Sequence, residues 1–361
     1  MKLSPLDLGV LVVYFSAVAW IGWRCRGAEH DTRGYLLGGR HIPWWAVLLS
    51  IVGTEISALT FVGVPAMAYA GNWTYLQMAA GAILARVIVA RWFVPAYYES
   101  EVVSIYEFLA RRFGRWTRGA GVALFLVSRV LMSGIRLFAG AILIQQAFGI
   151  SGTAAIVLVA VVGTLYTVAG GIKAVIWTEV LQVGVMFGGA VAAAAVMIHG
   201  IPGGLAAVPA LVGPAHLQIL DWRPDPGLEF TVWTALLGTT ITNVAIFGTD
   251  YDMVQRMLTA SDTKRSARAV IGSGLADIPI AALFLGLGTL LLAWYQVHPE
   301  PHLIPPAPKE VFPHFILTAL PVGLAGVVTA AVVSVVLSSF ESALNALAGS
   351  LVVDIYQPLF P

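Results

Sequence analysis

Residues 50–65, SIVGTEISALTFVGVP, are the most informative segment of the chain. They lie within a long apolar run, yet they place a carboxylate, Glu55, and several hydroxyl side chains between Gly53 and Pro65. Glycine, proline and β-branched residues all weaken a continuous helix. Broken membrane helices expose carbonyl groups and helix ends that bind ions and polar solutes. The segment therefore predicts a broken helix at mid-membrane depth. The alternative is a kinked helix whose hydroxyls bond to its own carbonyls and whose Glu55 pairs with an arginine.

The whole chain has the composition of a membrane protein. Of its 361 residues, 58% are hydrophobic and 11% are charged, and the mean hydropathy is +0.85. Globular proteins carry about 25% charged residues. The net charge of +1 indicates no nucleic acid or other polyanionic partner, and the single cysteine, Cys25, excludes an internal disulfide. Protease, hydrolase and nucleotide-binding motifs are absent from the sequence, so we expect no enzyme activity.

Apolar stretches long enough to cross a membrane recur along the chain. A membrane helix needs about 20 mostly apolar residues. Nine stretches meet this requirement, and they are residues 5–23, 43–69, 73–95, 118–148, 152–170, 173–198, 229–248, 265–296 and 321–349. None alternates apolar and polar residues as a barrel strand does. The prediction is an all-α polytopic membrane protein, forming a single transmembrane domain over residues 1–361.

Basic residues predict how the chain is oriented in the membrane. If the N-terminus is outside, the cytoplasmic loops hold most of the basic residues, namely Arg24, Arg26, Arg33, Arg40, Arg111, Arg112, Arg115, Arg118, Lys173, Arg256, Lys264, Arg265 and Arg268. Only Lys2, Arg223 and Lys309 then lie in outside loops. Cytoplasmic loops carry an excess of lysine and arginine. We therefore expect a plasma (inner) membrane protein with its N-terminus outside and the end of this chain inside.

The last apolar stretch has one polar face. Five of its polar residues recur at helical spacing, and they are Ser334, Ser338, Glu341, Ser342 and Asn345, with Ser339 beside them. Hydroxyl and carboxylate oxygens are ligands for a hard cation such as sodium. Small polar residues also line close helix–helix contacts, which is the structural alternative.

Charged residues inside the other apolar stretches are functional candidates, because charge is unfavourable within lipid. Arg136 lies well inside its stretch, and we expect it to neutralise Glu55 or to bind a substrate carboxylate in bidentate geometry. Glu55 itself suits a substrate amine. We expect Arg86 to anchor the end of its helix. Asp277, two residues before Pro279, predicts a second interrupted helix.

Four segments together resemble the sodium:solute symporters, which include transporters of glucose, proline, sialic acid and vitamins. They are residues 50–65, LYTVAGGIKAVIWTEVLQ at 165–182, FGTDYDMVQRMLTA at 247–260 and SSFESALNALAGSLVVDIY at 338–356. The resemblance implies a leucine-transporter-like fold. In this fold residues 5–23 form an extra N-terminal helix, 43–198 a first five-helix repeat, and 229–349 an inverted but incomplete second repeat. On this reading the chain is a fragment, and residues 1–361 alone are expected to show no sodium-driven uptake.

The resemblance also assigns site residues. The implied sodium ligands are the carbonyls of Gly53, Ile56 and Val335 and the hydroxyls of Ser338 and Ser339. The implied substrate-binding residues are Thr54, Glu55, Ser57, Thr60, Tyr75, Gln77, Arg136, Asn243 and Phe247. A candidate second ion site comprises Glu179, Glu341 and Ser342, where many family members have aspartate at the first two positions.

The implied function is sodium-coupled import of a small organic solute by alternating access. Sugar-transporting relatives have an aromatic residue where Ile246 aligns and a lysine near Ala276 and Asp277, so a carboxylate or amino-acid-like solute is favoured over a sugar. The alternatives are proton coupling through Glu55, Glu179 or Glu341, and a membrane sensor module of a longer signalling protein. The expected partners are the solute, sodium and the lipid bilayer, with no obligate protein partner and no nucleic acid.

Overall fold

The computed structural model describes residues 4–26, 31–300 and 307–360. Within these ranges it is helical, apart from connecting segments and one isolated bridge between Ile42 and Ala260. Its helices are α1 Pro5–Arg24, α2 Thr32–Leu37, α3 Trp44–Glu55, α4 Ala58–Ala70, α5 Met78–Ile88, α6 Val94–Glu99, α7 Ile105–Phe113, α8 Arg115–Phe148, α9 Gly152–Gly200, α10 Val208–Val212, α11 Thr240–Thr249, α12 Tyr251–Leu258, α13 Thr263–Val297, α14 Val311–Thr318, α15 Leu324–Ser350 and α16 Gln357–Leu359. Wider π turns at Val89–Phe93, Thr234–Thr239 and Leu351–Tyr356 adjoin α5, α11 and α15.

Each of the nine predicted stretches corresponds to a helix or, for 43–69, to a broken helix. Six helices in the described ranges are long and apolar enough to cross a membrane, and the bent pair α3–α4 makes a seventh when counted as one span. The other two stretches correspond to shorter apolar helices, Gly152–Leu165 and Thr234–Thr249. The all-α class is therefore confirmed.

The longest helix, α9, consists of two helices that meet at Gly171. This residue has φ +56° and ψ −153°, a backbone conformation that favours glycine. A Cβ atom here would lie 2.7 Å from the carbonyl oxygen of Tyr35, so the close approach of α2 also requires glycine. The turn separates the predicted stretches 152–170 and 173–198.

Helix α15 lies at the centre of the bundle and α8 at its edge. In the most apolar window of α15, 83% of residues are buried, against 11% for α8. The exposed face of α8 carries large apolar side chains such as Leu124, Leu131 and Phe138. This face suits contact with lipid, whereas the polar face of α15 is buried against α3, α9 and α12.

Two helices are broken in closely similar ways. The first break separates α3 from α4 with a bend of 64°, and Ile56 has φ −74° and ψ 116°. The second break separates α11 from α12, and Asp250 has φ −77° and ψ 125°. Ser57 caps α4 through the backbone N–H of Thr60, and Asp250 caps α12 through the N–H of Asp252. The predicted break near Glu55 is therefore confirmed.

The predicted interruption beside Asp277 is wrong. Helix α13 continues through Pro279 from Thr263 to Val297. A proline removes one backbone hydrogen bond, and membrane helices tolerate this where neighbouring groups compensate. The sequence signal at this point reflects the ionic contact of Asp277 rather than a break in the backbone.

Candidate functional site

The first break places backbone carbonyls beside the polar face of α15. The Ser338 hydroxyl lies 3.1 Å from the Gly53 carbonyl oxygen and 3.2 Å from that of Val335. The Ser339 hydroxyl is buried and has no hydrogen-bond partner among the residues that the structure describes. Three of the five predicted sodium ligands thus come together, with Ser339 next in sequence. Ile56 leaves the helical conformation at the break and also lines a larger cavity.

The oxygen chemistry of this group fits a hard monovalent cation. Two carbonyls and a hydroxyl meet around a small cavity that is also lined by Gln182, Val183 and Met186. Neutral oxygen ligands of this kind suit sodium rather than a softer transition metal. The described part of the chain contains no group of three or more His, Cys, Asp and Glu residues that could hold a metal ion.

A triad of charged residues lies beside the same break. We call Glu55, Arg86 and Asp277 the cavity triad. The Arg86 side chain is completely buried; its Nη2 contacts a Glu55 oxygen and lies 3.2 Å from an Asp277 oxygen. The carboxylate side chains are 23% and 24% exposed. The guanidinium is therefore enclosed while both carboxylates reach open space.

Every other donor of Arg86 is also occupied. Its Nε donates to Ser273, and its Nη1 donates to the Ala82 carbonyl and the Asn243 side chain, at 3.1–3.2 Å. The guanidinium carbon also lies 3.9 Å from the centre of the Phe247 ring. Gly274 makes room for this side chain, because a Cβ atom there would lie 2.4 Å from Arg86 Cδ.

Two sequence-based expectations about these charges are wrong. Glu55 pairs with Arg86 rather than with Arg136, and Arg86 is a buried partner rather than a membrane-surface anchor. The physical reason is that α5 packs against α11 and α13, so the side chain of Arg86 extends into the bundle towards Asn243 and Asp277. The spacing of residues along the sequence does not show which helices pack against one another.

Two cavities adjoin the cavity triad. The first, of about 230 Å³, is called the acidic cavity, and its polar lining comprises Glu55, Thr60, Tyr75, Thr239, Asn243 and Asp277. The second, of about 330 Å³, is called the arginine cavity, and it is lined by Thr54, Glu55, Ser128, Arg129, Arg136, Asn243, Phe247 and Asp250, among others. Glu55 and Asn243 line both, so these two side chains form a shared wall.

The predicted substrate residues divide between these cavities. Thr60 and Tyr75 line the acidic cavity, whereas Thr54, Arg136 and Phe247 line the arginine cavity. Ser57 caps α4. The side-chain oxygen of Gln77 accepts a hydrogen bond from the backbone N–H of Asp221, at 3.3 Å, so its contact is with the loop before α11.

A second triad is completely buried. We call Glu179, Asp252 and Arg256 the buried triad, and all three side chains are 0% exposed. Arg256 Nη2 lies 2.7 Å from Glu179, and its Nη1 contacts Asp252. Ser50 and Ser342 accept further hydrogen bonds from the guanidinium, at 3.0 and 2.6 Å.

The candidate second ion site overlaps the buried triad. The Ser342 hydroxyl donates to Glu179 at 2.6 Å, and Thr178 donates to Glu341 at 3.0 Å. Glu179 also accepts hydrogen bonds from Thr54 and Ser50. Because Arg256 already supplies a cationic partner to Glu179, any additional ion here would share that carboxylate. The second ion site stays a prediction.

Sequence reasoning missed the roles of Arg86, Asp252 and Arg256. Arg256 was expected in a cytoplasmic loop, but it is buried within α12. One signal was present, because Asp252 and Arg256 are four residues apart and such pairs interact on a helix surface. No comparable local signal links Arg86 to Asp277, which is 191 positions away in the sequence.

The sequence of this chain is similar to those of known sodium-coupled transporters. The model of the sodium:solute symporter family matches residues 35–361. The human sodium/iodide cotransporter is 30% identical over 98% of this chain, and the human sodium-coupled monocarboxylate transporter 1 is 32% identical over 92% of it. This chain covers 56% and 55% of those two proteins, and so spans about half their length. A sodium/sialic acid symporter of Proteus mirabilis is 28% identical over 98% of this chain and 72% of its own length.

Solved structures show the same architecture. A Na⁺-coupled sialic acid symporter in a substrate-bound outward-open state aligns with a TM-score of 0.90 and 27% identity, over 99% of this chain and 76% of that one. A nucleobase-cation-symport-1 family transporter aligns with a TM-score of 0.62 and 16% identity, over 90% and 69%, and it shows the fold alone. The predicted leucine-transporter-like fold is confirmed. Because the relatives are transporters, the expectation of a non-enzymatic protein is confirmed as well.

Proposed function

The chain belongs to the sodium:solute symporter family, and from this premise we propose that its protein imports a small organic solute together with sodium. The observation that carries the proposal is the group of oxygens at the first helix break, where Ser338 meets the carbonyls of Gly53 and Val335. A cation bound there would contact both the broken helix and α15. Binding would then favour one arrangement of these two elements, which is the basis of alternating access.

We assign the sodium ligands to Gly53, Ile56, Val335, Ser338 and Ser339. The contacts of Ser338 support the first, third and fourth of these. The unsatisfied hydroxyl of Ser339 supports the fifth, because a buried polar group without a partner is unfavourable unless a ligand satisfies it. Ile56 is included because its backbone leaves the helical conformation at the break.

For the solute we propose a carboxylate that binds Arg136 in the arginine cavity. Arg86, Arg129 and Arg256 all form ion pairs within the helical bundle, whereas Arg136 forms none with the residues that the structure describes. A guanidinium without an anionic partner, next to a cavity, suits bidentate binding of a carboxylate. The similarity to sialic acid and monocarboxylate transporters supports the same solute class.

Further assignments accompany this function. We propose that residues 43–198 and 229–349 belong to two inverted repeats, a division supported by the similar backbone angles at Ile56 and Asp250. We also propose residence in the plasma (inner) membrane with the N-terminus outside, on the basis of the distribution of basic residues.

Uptake into proteoliposomes tests the function. The full-length protein that contains these 361 residues is purified and reconstituted, since residues 1–361 alone are expected to show no uptake. Uptake of radiolabelled lactate, alanine and sialic acid is then measured under an inward gradient of sodium, of potassium or of protons. We expect concentrative uptake of at least one probe with sodium alone. Uptake driven by protons and indifferent to sodium would replace sodium coupling with proton coupling.

A further inference from the structure

The acidic cavity is lined by more acidic than basic side chains. Glu55 and Asp277 share the single guanidinium of Arg86, and no other cationic side chain lines this cavity among the described residues. Both carboxylates are partly exposed to it, whereas Arg86 is completely buried behind them. Two carboxyl groups around one guanidinium can accommodate one further positive charge, which a bound ligand can supply. Charge complementarity of this kind is strong in surroundings of low dielectric constant.

Arg86 cannot serve as an anion-binding group without losing existing contacts. Its Nε and Nη1 donate to Ser273, Ala82 and Asn243, and its Nη2 faces both carboxylates. One carboxylate oxygen, Glu55 Oε2, is itself buried and accepts no hydrogen bond from the described part of the chain. The cavity thus offers an unsatisfied acceptor rather than a free donor. Such an acceptor is satisfied by a ligand with N–H or O–H groups, and a charged ammonium group makes the strongest hydrogen bond to a carboxylate.

We propose that the acidic cavity binds a protonated amine of the transported solute, with Glu55 and Asp277 as its anionic ligands. The proposal rests on the proposed function, since it assigns a second charged group to the same solute. Arg86 is a positioning residue that holds both carboxylates in place. Thr60 and Tyr75 supply hydroxyl groups along the same wall, and Phe284 supplies an apolar one.

The shared wall determines the solute class. Glu55 and Asn243 line both the acidic and the arginine cavity, so the proposed amine site and the proposed carboxylate site have these two side chains in common. A solute whose amine binds Glu55 can therefore present its carboxylate to the arginine cavity. A solute that satisfies both sites carries a positive and a negative group and is zwitterionic. An amino acid or a related amino carboxylate has this chemistry, whereas a simple monocarboxylate leaves Glu55 Oε2 without a partner.

Matched solute pairs test the proposal in reconstituted protein. Sodium-driven uptake is compared for alanine against lactate and for phenylalanine against phenyllactate, since each pair differs only in an amino or a hydroxyl group. We expect the amino member of the preferred pair to be taken up at least about tenfold faster at low concentration, and Asp277→Asn to abolish this preference. Asp225→Asn, the same change in an exposed loop, serves as the control. Equal or faster uptake of the hydroxy acids overturns the proposal.

A second measurement does not depend on transport. Ala281 lines the acidic cavity, so Ala281→Cys in a Cys25→Ser background places a single thiol there. The thiol is labelled with trimethylammonium-ethyl or sulfonato-ethyl methanethiosulfonate, and each rate is divided by the rate for a free thiol. We expect the cationic reagent to react several-fold faster, and Asp277→Asn to remove the difference.

The two measurements separate the failure of the proposal from that of the proposed function. A cation preference that depends on Asp277 supports an amine site even if sodium does not drive uptake of any probe. Equal labelling by the two reagents overturns the amine site even if sodium-driven uptake is robust.

Discussion

The cavity triad and the buried triad have the same composition but different surroundings. Each places two carboxylates around one completely buried guanidinium. In the cavity triad the carboxylates are about a quarter exposed, whereas in the buried triad they are fully enclosed. The same three charges can therefore hold helices together in one place and face a ligand in another, and exposure of the carboxylates distinguishes the two roles.

The buried triad connects parts of the chain that are distant in sequence. Glu179 lies on α9 and Arg256 on α12, while hydrogen bonds reach Ser50 on α3 and Ser342 on α15. Removing one partner of a buried pair leaves an uncompensated charge, which is more destabilising than the pair itself is stabilising. We therefore expect the buried triad to be far more sensitive to substitution.

The largest effect is expected for Arg256→Gln. The change leaves Glu179 without its cationic partner in a fully buried site, and we expect a loss of about 3–5 kcal/mol in the free energy of unfolding. The measurement is thermal melting of the detergent-purified protein. Arg265→Gln, at a pair whose side chains are 58% and 50% exposed, is the matched control and should change stability by less than about 1 kcal/mol. Equal melting temperatures for the two variants would refute the distinction between the buried triad and an exposed ion pair.

A steric change at the cavity triad is expected to have an intermediate effect. Gly274→Ala places a Cβ atom 2.4 Å from Arg86 Cδ, and overpacking of this kind destabilises by about 1–3 kcal/mol. Gly286→Ala lies on the same helix, and the nearest atom to its Cβ is in the Trp73 ring, at 4.0 Å. We expect Gly274→Ala to lower the melting temperature and Gly286→Ala to maintain or raise it. A lower melting temperature for Gly286→Ala than for Gly274→Ala would show that the Arg86 side chain does not pack closely against Gly274.

A smaller effect is expected at the sodium ligands. Ser338→Ala removes the hydroxyl between the carbonyls of Gly53 and Val335, and we expect about a fivefold higher sodium concentration for half-maximal uptake, equivalent to ~1 kcal/mol. Ser350→Ala removes a buried hydroxyl of the same helix whose partner is Asp354, and it should leave the sodium dependence unchanged. An unaltered sodium dependence in Ser338→Ala would contradict the ligand assignment.

The fold and the proposed sodium ligands are better predicted from the sequence than the pairing of the buried charges is. Glycine and hydroxyl residues near Glu55 predict the broken helix, and the periodic serines predict the polar face of α15, both from short-range patterns. The contact between Ser338 and the Gly53 carbonyl is implied by the family resemblance, because these residues are 285 positions apart. The pairing of Arg86 with Glu55 and Asp277 depends on how three distant helices pack. The predicted interruption beside Pro279 is wrong for the same reason, because tertiary packing keeps α13 continuous.

The most direct test of the account compares Asp277→Asn with Asp252→Asn. The substitutions are chemically identical, and they remove one carboxylate from the cavity triad and one from the buried triad. We predict that the free energy of unfolding of Asp277→Asn lies within about 1 kcal/mol of that of the parent protein, because Glu55 still pairs with Arg86. The same variant should lose the preference for amino over hydroxy acids. We predict that Asp252→Asn is destabilised by at least about 3 kcal/mol, because Arg129 and Arg256 both lose a partner. Equal destabilisation by the two variants, or an unchanged preference in Asp277→Asn, would contradict the account.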